Sequence, residues 1–296
     1  MSTAEIAAQR SLLGLARDYV SLLKLRIVVL LVATAVGVML PAAHGLPPPL
    51  LVLAVILGGS LAAGGAHAIN CWFDRDIDAA MSRTRLRPVP DGRIPARHAL
   101  VLGVVLNVLA FAVLWAGANL AAALLALAGT LIYVFVYTLW LKRATPQNIV
   151  IGGAAGAMPP LVGWAAVTGR VDLTAVSLFL VIFFWTPPHF WALAQLIKTD
   201  YARAGVPMLP VVAGDRSAKR QSVAYTVLVF LVSLVPYLTG AAGSVYLAGA
   251  VVLGVALVGV AVLDLSGRRW TRRLFTYSIA YLAALFTLFA ISPFVI

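Results

Sequence analysis

HAINCWFDRDIDAAMSRTRLRPVPDGRIP, residues 67–95, is the stretch where a long apolar segment ends and acids and arginines crowd together. If that segment stays helical through this point, Asn70, Asp74 and Asp78 recur every four residues in one stripe about 80° wide, and Asp76 points the other way. Two carboxylates one turn apart, with an amide oxygen a turn before them, are hard oxygen donors suited to Mg²⁺, an ion that keeps several waters and binds substrate phosphates. An isolated D-x-x-x-D is equally explained by a solvated loop that opens with helix-end charges. Context argues for the site. Arg83, Arg85, Arg87, Arg93 and Arg97 follow at once, so the acids cost electrostatic energy to assemble without a cation, and the guanidinium groups suit an anion.

Working outward, the surrounding chain is a membrane sequence. Of its 296 residues 62% are hydrophobic and 11% charged, with a mean hydropathy of +0.99, outside the range of soluble domains. A net charge of +12 would suggest nucleic acid for a soluble protein, but here the basic residues are read against the membrane, and no nucleic-acid partner is expected. Segments long enough to cross the hydrocarbon core are expected nine times, at about 26–44, 50–71, 99–117, 120–141, 149–167, 173–195, 222–241, 243–264 and 274–293. Of the 22 Lys and Arg, all but Arg170 fall before the first span or after an even-numbered one. The positive-inside bias therefore puts the N-terminus and those loops in the cytoplasm and the C-terminus outside, in a bacterial-type inner membrane. Residues 1–25 read as a cytoplasmic amphipathic lead-in, with Leu12, Leu13, Leu15, Ala16, Tyr19, Val20 and Leu23 at roughly helical spacing; no cleavable signal peptide is expected there. Residues 26–296 read as a single transmembrane domain, and the lone Cys71 excludes an intrachain disulfide framework.

Two cytoplasmic loops are long: the one after span 2, and residues 196–220 after span 6. Spans 2 and 6 hold equivalent places in two successive quartets, so two four-helix repeats with a ninth helix appended are expected, the two loops facing one another over a single polar site. Spans 5 and 6 are expected to be interrupted at Met158-Pro159-Pro160 and Thr186-Pro187-Pro188. His189, Trp185 and Trp191 cluster around the second break. Span 5 opens with Thr145-Pro146-Gln147-Asn148, a capping residue followed by proline.

A metal-binding acidic pair at a membrane face, beside guanidinium groups and over an apolar interior, suits a substrate with a diphosphate head and a hydrocarbon tail. Loss of the diphosphate from such a molecule leaves an allylic cation, which aromatic faces stabilise without attacking it. Tyr133, Tyr137, Trp140, Phe183, Phe184, Trp185 and Trp191 are available for this, with packing and an interfacial aromatic belt as the alternative use.

Asn70-x-x-x-Asp74-x-x-x-Asp78 resembles the first motif of the UbiA-type intramembrane prenyltransferases. Arg83-Thr-Arg-Leu-Arg-Pro88, the stretch from Tyr137 to Gly169 and PPHFWALA at 187–194 resemble the heme-farnesylating branch of that family. The resemblance implies an all-α protein of nine transmembrane helices that uses Mg²⁺, farnesyl diphosphate as donor and protoheme IX as acceptor. The resemblance further implies the lipid bilayer as the place of work and a downstream heme-modifying enzyme as a partner. The resemblance makes Asn70, Asp74 and Asp78 the metal and diphosphate site, Arg83, Arg87, Lys142 and Lys198 the phosphate contacts, and His189, Trp191, Tyr133 and Tyr137 candidates for the acceptor cavity. Where many members carry a second D-x-x-x-D after helix 6, this chain has Ile197 and Tyr201, with Asp200 the only acid nearby as a further metal-ligand candidate and Lys198 as a substitute for one metal charge. A prenyltransferase for an aromatic quinone precursor shares the first motif but not the PPHFW stretch. A cation-coupled transporter would need its carboxylates nearer the bilayer midplane.

Overall fold

The structure is a computed structural model that describes residues 12–295. Among these residues there is no strand, and nine helices are long and apolar enough to cross a membrane. They are α1 (Leu25–Ala42), α2 (Pro49–Phe73), α3 (Ala96–Gly117), α4 (Leu120–Ala144), α5 (Asn148–Thr168), α6 (Leu173–Leu196), α7 (Gly214–Leu238), α8 (Ser244–Asp264) and α9 (Arg268–Phe294). At about 1.5 Å per residue each can span a hydrocarbon core about 30 Å thick. The protein is an integral, multi-pass membrane protein. Each span packs against the next, and α9 returns to α1 and closes the ring.

Two spans begin earlier than hydropathy indicates, α7 at Gly214 and α9 at Arg268. Their first turns carry Asp215, Arg216, Lys219 and Arg220, and Arg268, Arg269, Arg272 and Arg273. Lys and Arg are good helix formers, so the helix runs on where the apolar window stops. A buried ion pair ties these extensions together: Lys219 Nζ lies 3.1 Å from Asp264 Oδ1 and 2.6 Å from Asp264 O, and Thr271 donates to the same carboxylate at 2.6 Å.

Large apolar side chains such as Val29, Leu30, Val108 and Val252 face outward, as lipid requires, while small residues let the helices approach. A Cβ on Gly103 of α3 would lie 2.6 Å from Gly65 O of α2, and one on Gly163 of α5 only 2.1 Å from Ala35 O of α1. α5 and α6 are the most enclosed spans, with 61% and 50% of their apolar windows buried. The two proline pairs act differently. α5 breaks at Ala157, just ahead of Pro159 and Pro160, into helices Asn148–Gly156 and Met158–Thr168. α6 stays helical through Pro187 and Pro188, contrary to the expected interruption. There Thr186 donates back to Ile182 O at 2.8 Å, and packing against α5, α7 and α9 holds the helix together where the prolines remove backbone donors.

The lead-in is helical over Leu12–Leu22 and docks on the loop after α2: Leu22 packs with Ala68, Cys71, Val89 and Ile94, and Asp18 pairs with Arg93. Residues 1–11 of the expected lead-in lie outside the described residues.

Candidate active site

α2 ends at Phe73, Asp74 caps it, and a further helical turn runs over Arg75–Ala80. The four-residue ladder survives this bend, since Asp74 N donates to Asn70 O at 2.9 Å and Asp78 N to Asp74 O at 2.7 Å. Asn70, Asp74 and Asp78 are consequently all buried, and Asp76 on the other side is exposed. Asp76 binds Arg143 through two hydrogen bonds of 2.6 and 2.7 Å, and that guanidinium lowers its pKa from the ordinary carboxylate value to about 2.

The opposing wall comes from α4. From Ile132 to Leu141 this span winds as a π-helix, a form that is rare at such length and frequent at functional sites. Its wider turn puts Thr138 3.1 Å from Asn70 Nδ2, brings Lys142 onto Asp74, and stacks Tyr133 on Tyr137 at 5.7 Å. His67, one turn deeper on α2 than Asn70, meets Tyr133 edge to face at 5.4 Å, and both its ring nitrogens are buried without a hydrogen-bond partner. Gly152 of α5 makes room for Tyr137, since a Cβ there would lie 2.3 Å from the tyrosine ring.

Each carboxylate holds its own cation. Lys142 pairs with Asp74, and one Arg87 nitrogen donates to both oxygens of Asp78 at 2.9 and 2.8 Å. Arg87 and Lys142, expected as phosphate contacts, thus bridge to the acids, while their remaining N–H groups stay available to a phosphate oxygen. The Asn70 amide faces the other way from the expected one. Its nitrogen donates to Asp74 Oδ2 at 2.6 Å, because its oxygen accepts from Lys24 Nζ at 2.9 Å. Burial, followed by the nearby Arg87 and Lys142 charges among the lowering influences, holds the Lys24 ammonium below the usual lysine range. Sequence reading missed Lys24 and Thr138 as site residues, whereas His67 shares the stripe of Asn70 and Asp74 and was visible by that spacing.

Asp74 Oδ1 is buried with no hydrogen-bond partner, and with Asp78 beside it the donor set is one of hard oxygens, which fits Mg²⁺. Among the described residues there is no group of three or more His, Cys, Asp or Glu side chains arranged for a metal. A cation here would take two carboxylates from the protein and its other ligands from phosphate and water.

The loop after α6 does meet the loop after α2, through Ser82 donating to Asp200 at 2.6 Å and through an apolar cluster of Ile77, Met81, Ile149, Tyr201 and Met208, against which Ile197 packs. The two positions that lack the second acidic motif thus serve to close the loops. Asp200 is engaged with Ser82 and lies 3.8 Å from Arg203, and Lys198 pairs with Asp215 at 2.9 Å, so neither is joined to the Asp74–Asp78 cluster by a contact. Arg83 is exposed in the same region.

The residues around the second proline pair divide. Trp191 is wholly buried with Leu209, Ala218 and Tyr225 around it, and its indole nitrogen has no hydrogen-bond partner. His189 lies between Trp185 (4.3 Å) and Phe275 (4.8 Å) and shares a 2.8 Å hydrogen bond with Ser278 Oγ. The Ser278 hydroxyl reaches both His189 Nδ1 and Phe275 O, and when its proton goes to Phe275 O the histidine donates from Nδ1 and Nε2 keeps its lone pair. Trp140 is exposed, as an interfacial belt residue should be.

A ring of membrane helices with a buried cluster of acids and bases at the charged end of α2 and α4 has the make-up of an intramembrane enzyme. The chain belongs to the UbiA prenyltransferase family, whose pattern it matches over residues 30–280. Among curated proteins it is 54% identical to the protoheme IX farnesyltransferase of Symbiobacterium thermophilum over 91% of this chain and 92% of that one. It is 53% identical to that of Gloeobacter violaceus, over 97% and 94%. A relative of the same name in a Roseiflexus species is longer: at 52% identity over 94% of this chain, the match covers 52% of its length. Of solved structures, a digeranylgeranylglyceryl phosphate synthase shares the fold with a TM-score of 0.80 at 19% identity, over 94% of this chain and 98% of that one. A UbiA homologue from Archaeoglobus fulgidus bound to GPP and Mg²⁺ does so with a TM-score of 0.63 at 17% identity, over 92% and 99%.

Proposed function

We propose that this prenyltransferase moves the farnesyl group of farnesyl diphosphate to a vinyl group of protoheme IX with addition of water, giving heme O and pyrophosphate. The observation that carries the reading is the buried cluster of Asp74 and Asp78 among Lys24, Arg87 and Lys142, in a chain whose near full-length relatives bear the name protoheme IX farnesyltransferase.

Asp74 and Asp78 are the residues that would hold Mg²⁺, and the ion when bound adds positive charge beside the departing diphosphate. Arg87 and Lys142 turn their free N–H groups to the phosphate oxygens, with Arg83 at the exposed rim. As the allylic C–O bond breaks, its electron pair stays with the diphosphate, and charge develops where these cations already stand. The stacked faces of Tyr133 and Tyr137 border the site of the cation and keep it from water. The terminal carbon of the heme vinyl group then bonds to the farnesyl carbon, leaving a cation on the carbon next to the porphyrin ring. Water adds there and loses a proton. His189, with Nδ1 committed to Ser278 and Nε2 open, is the side chain best prepared to meet the acceptor. The reading places the protein in a bacterial-type inner membrane, with the N-terminus and both site loops cytoplasmic and the C-terminus outside.

Mass spectrometry of heme extracted from cells expressing the chain, with and without Asp78→Asn, tests it. A species heavier than protoheme by one farnesyl plus one hydroxyl is expected with the native chain and not with the variant. Unmodified heme together with a prenylated quinone precursor overturns it.

A further inference from the structure

Three cations stand around the two buried carboxylates at the end of α2, and only two of them have an acid to bind. Lys142 takes Asp74 and Arg87 takes Asp78. The third, Lys24, donates its ammonium to a neutral group, the Asn70 amide oxygen, at 2.9 Å. A charge partly withdrawn from water onto a neutral acceptor is costly, and the cluster as a whole carries one positive charge more than its acids balance.

The backbone adds to that cost. Lys24 stands between the lead-in helix and α1 with φ 52° and ψ 53°, the left-handed region that an L-residue other than glycine enters at about 1–2 kcal/mol. This turn ends one helix and starts the next: Lys24 N donates to Ser21 O, and Lys24 O accepts from Ile27 N at 2.8 Å. It also directs the side chain onto α2, 46 positions along the chain, rather than outward with the exposed Leu25 and Ile27. Strained backbone of this kind gathers at binding and switch sites, and a surplus half-buried cation beside an anion site is a ready counter-charge for the anion. In the loop after α6 the candidate cation, Lys198, is engaged with Asp215 at 2.9 Å.

We propose that Lys24 is a contact for the donor's diphosphate, its ammonium passing from the Asn70 amide oxygen to a phosphate oxygen when the donor binds. The transfer frees Asn70 Oδ1, which then becomes a hard oxygen donor beside Asp74. Lys24 thus positions the amide as well as binding the donor. The proposal rests on the diphosphate half of the proposed function and not on the choice of acceptor.

The test uses the full chain in detergent with Mg²⁺ and inorganic pyrophosphate as probe, followed by calorimetry, with Mn²⁺ binding followed separately by electron paramagnetic resonance. Lys24→Met should weaken pyrophosphate binding, and raise KM for farnesyl diphosphate, by about tenfold or more, the worth of one charge-assisted hydrogen bond. Lys24→Arg should restore most of the loss, and KM for protoheme should not move. Mn²⁺ binding without pyrophosphate should be unchanged or tighter in Lys24→Met, because a nearby cation is gone and the amide oxygen is released. Equal pyrophosphate affinity in wild type and Lys24→Met overturns the proposal. So does a parallel loss of Mn²⁺ binding, which would make Lys24 a structural strut. Should Lys24→Met not fold, Lys24→Gln, which keeps a donor for Asn70 without the charge, carries the same comparison. Wild-type chain that binds no pyrophosphate would instead sink the donor reading beneath it.

Discussion

At Asp74 one carboxylate oxygen accepts from both Asn70 and Lys142, and the other is buried without a partner. Asp78 is held by Arg87 alone among side chains, and Asp76, two residues away, faces outward with Arg143. Replacing Asp74 or Asp78 by Asn removes negative charge from where a cation and the departing diphosphate meet, and turnover should fall by about 10²–10³-fold. Asp76→Asn should leave turnover within a factor of about two, in line with the small worth of exposed ion pairs. Pyrophosphate release in proteoliposomes measures all three, and native-like rates for both Asp74→Asn and Asp78→Asn would remove the metal site from α2. Asp76 also makes a pH prediction. Its folded pKa of about 2 lies below its ordinary 3.8, so its stabilising contribution is complete above 3.8 and is lost as pH falls toward 2. With both side chains well exposed, that contribution is at most about 1 kcal/mol. The melting temperatures of wild type and Asp76→Asn in detergent should differ slightly at pH 7 and converge near pH 2. That Asp74 and Asp78 share one face with Asp76 opposite was legible in their spacing, because four-residue periodicity fixes a face wherever the helix holds. Lys24 was not legible. Its place depends on a left-handed turn that nothing in its neighbours requires and on a contact 46 positions away.

Among the elements, α2 and α4 make the site and α5 holds them in register. The spans themselves were readable to within a few residues, since the bilayer sets their length, except where α7 and α9 run on through charged turns. The π-helical stretch of α4 was hidden, because Ile132 to Leu141 has the same hydropathy in either winding and only packing distinguishes them. The tight crossings were hidden for a related reason: a glycine in a membrane helix shows where a close approach is possible but not what approaches. Gly163 is the severest case, as any Cβ would enter the carbonyl of Ala35 on α1. Gly163→Ala should force α1 and α5 apart and lower stability by about 1–3 kcal/mol, read as a lower melting temperature. Gly156→Ala, where an added Cβ meets nothing within 4 Å, should be neutral or slightly stabilising. Equal melting temperatures for the two variants would show that the α1–α5 crossing is looser than the structure has it.

For the whole molecule, the charge distribution makes a definite prediction of which way the ring of helices sits in the bilayer. Both site loops, the lead-in and the starts of α7 and α9 gather at one end of the ring, and among the described residues every Lys and Arg but Arg170 belongs to that end. On the positive-inside bias the site is expected to face the cytoplasm, where a water-soluble diphosphate head would reach Lys24, Arg87 and Lys142 without crossing the membrane. The native Cys71 is 2% exposed and should stay silent to thiol reagents, so single cysteines can be added without removing it. Ser244, exposed at the start of α8, and Ser266, exposed between α8 and α9, lie at opposite ends of one helix. With a membrane-impermeant maleimide, Ser244→Cys should be labelled in right-side-out vesicles and Ser266→Cys only in inverted ones. Reversal of the two would put the diphosphate site outside the cell, against the positive-inside bias. Labelling of both from one side would mean that α8 does not cross the bilayer and that the ring does not close as a transmembrane bundle.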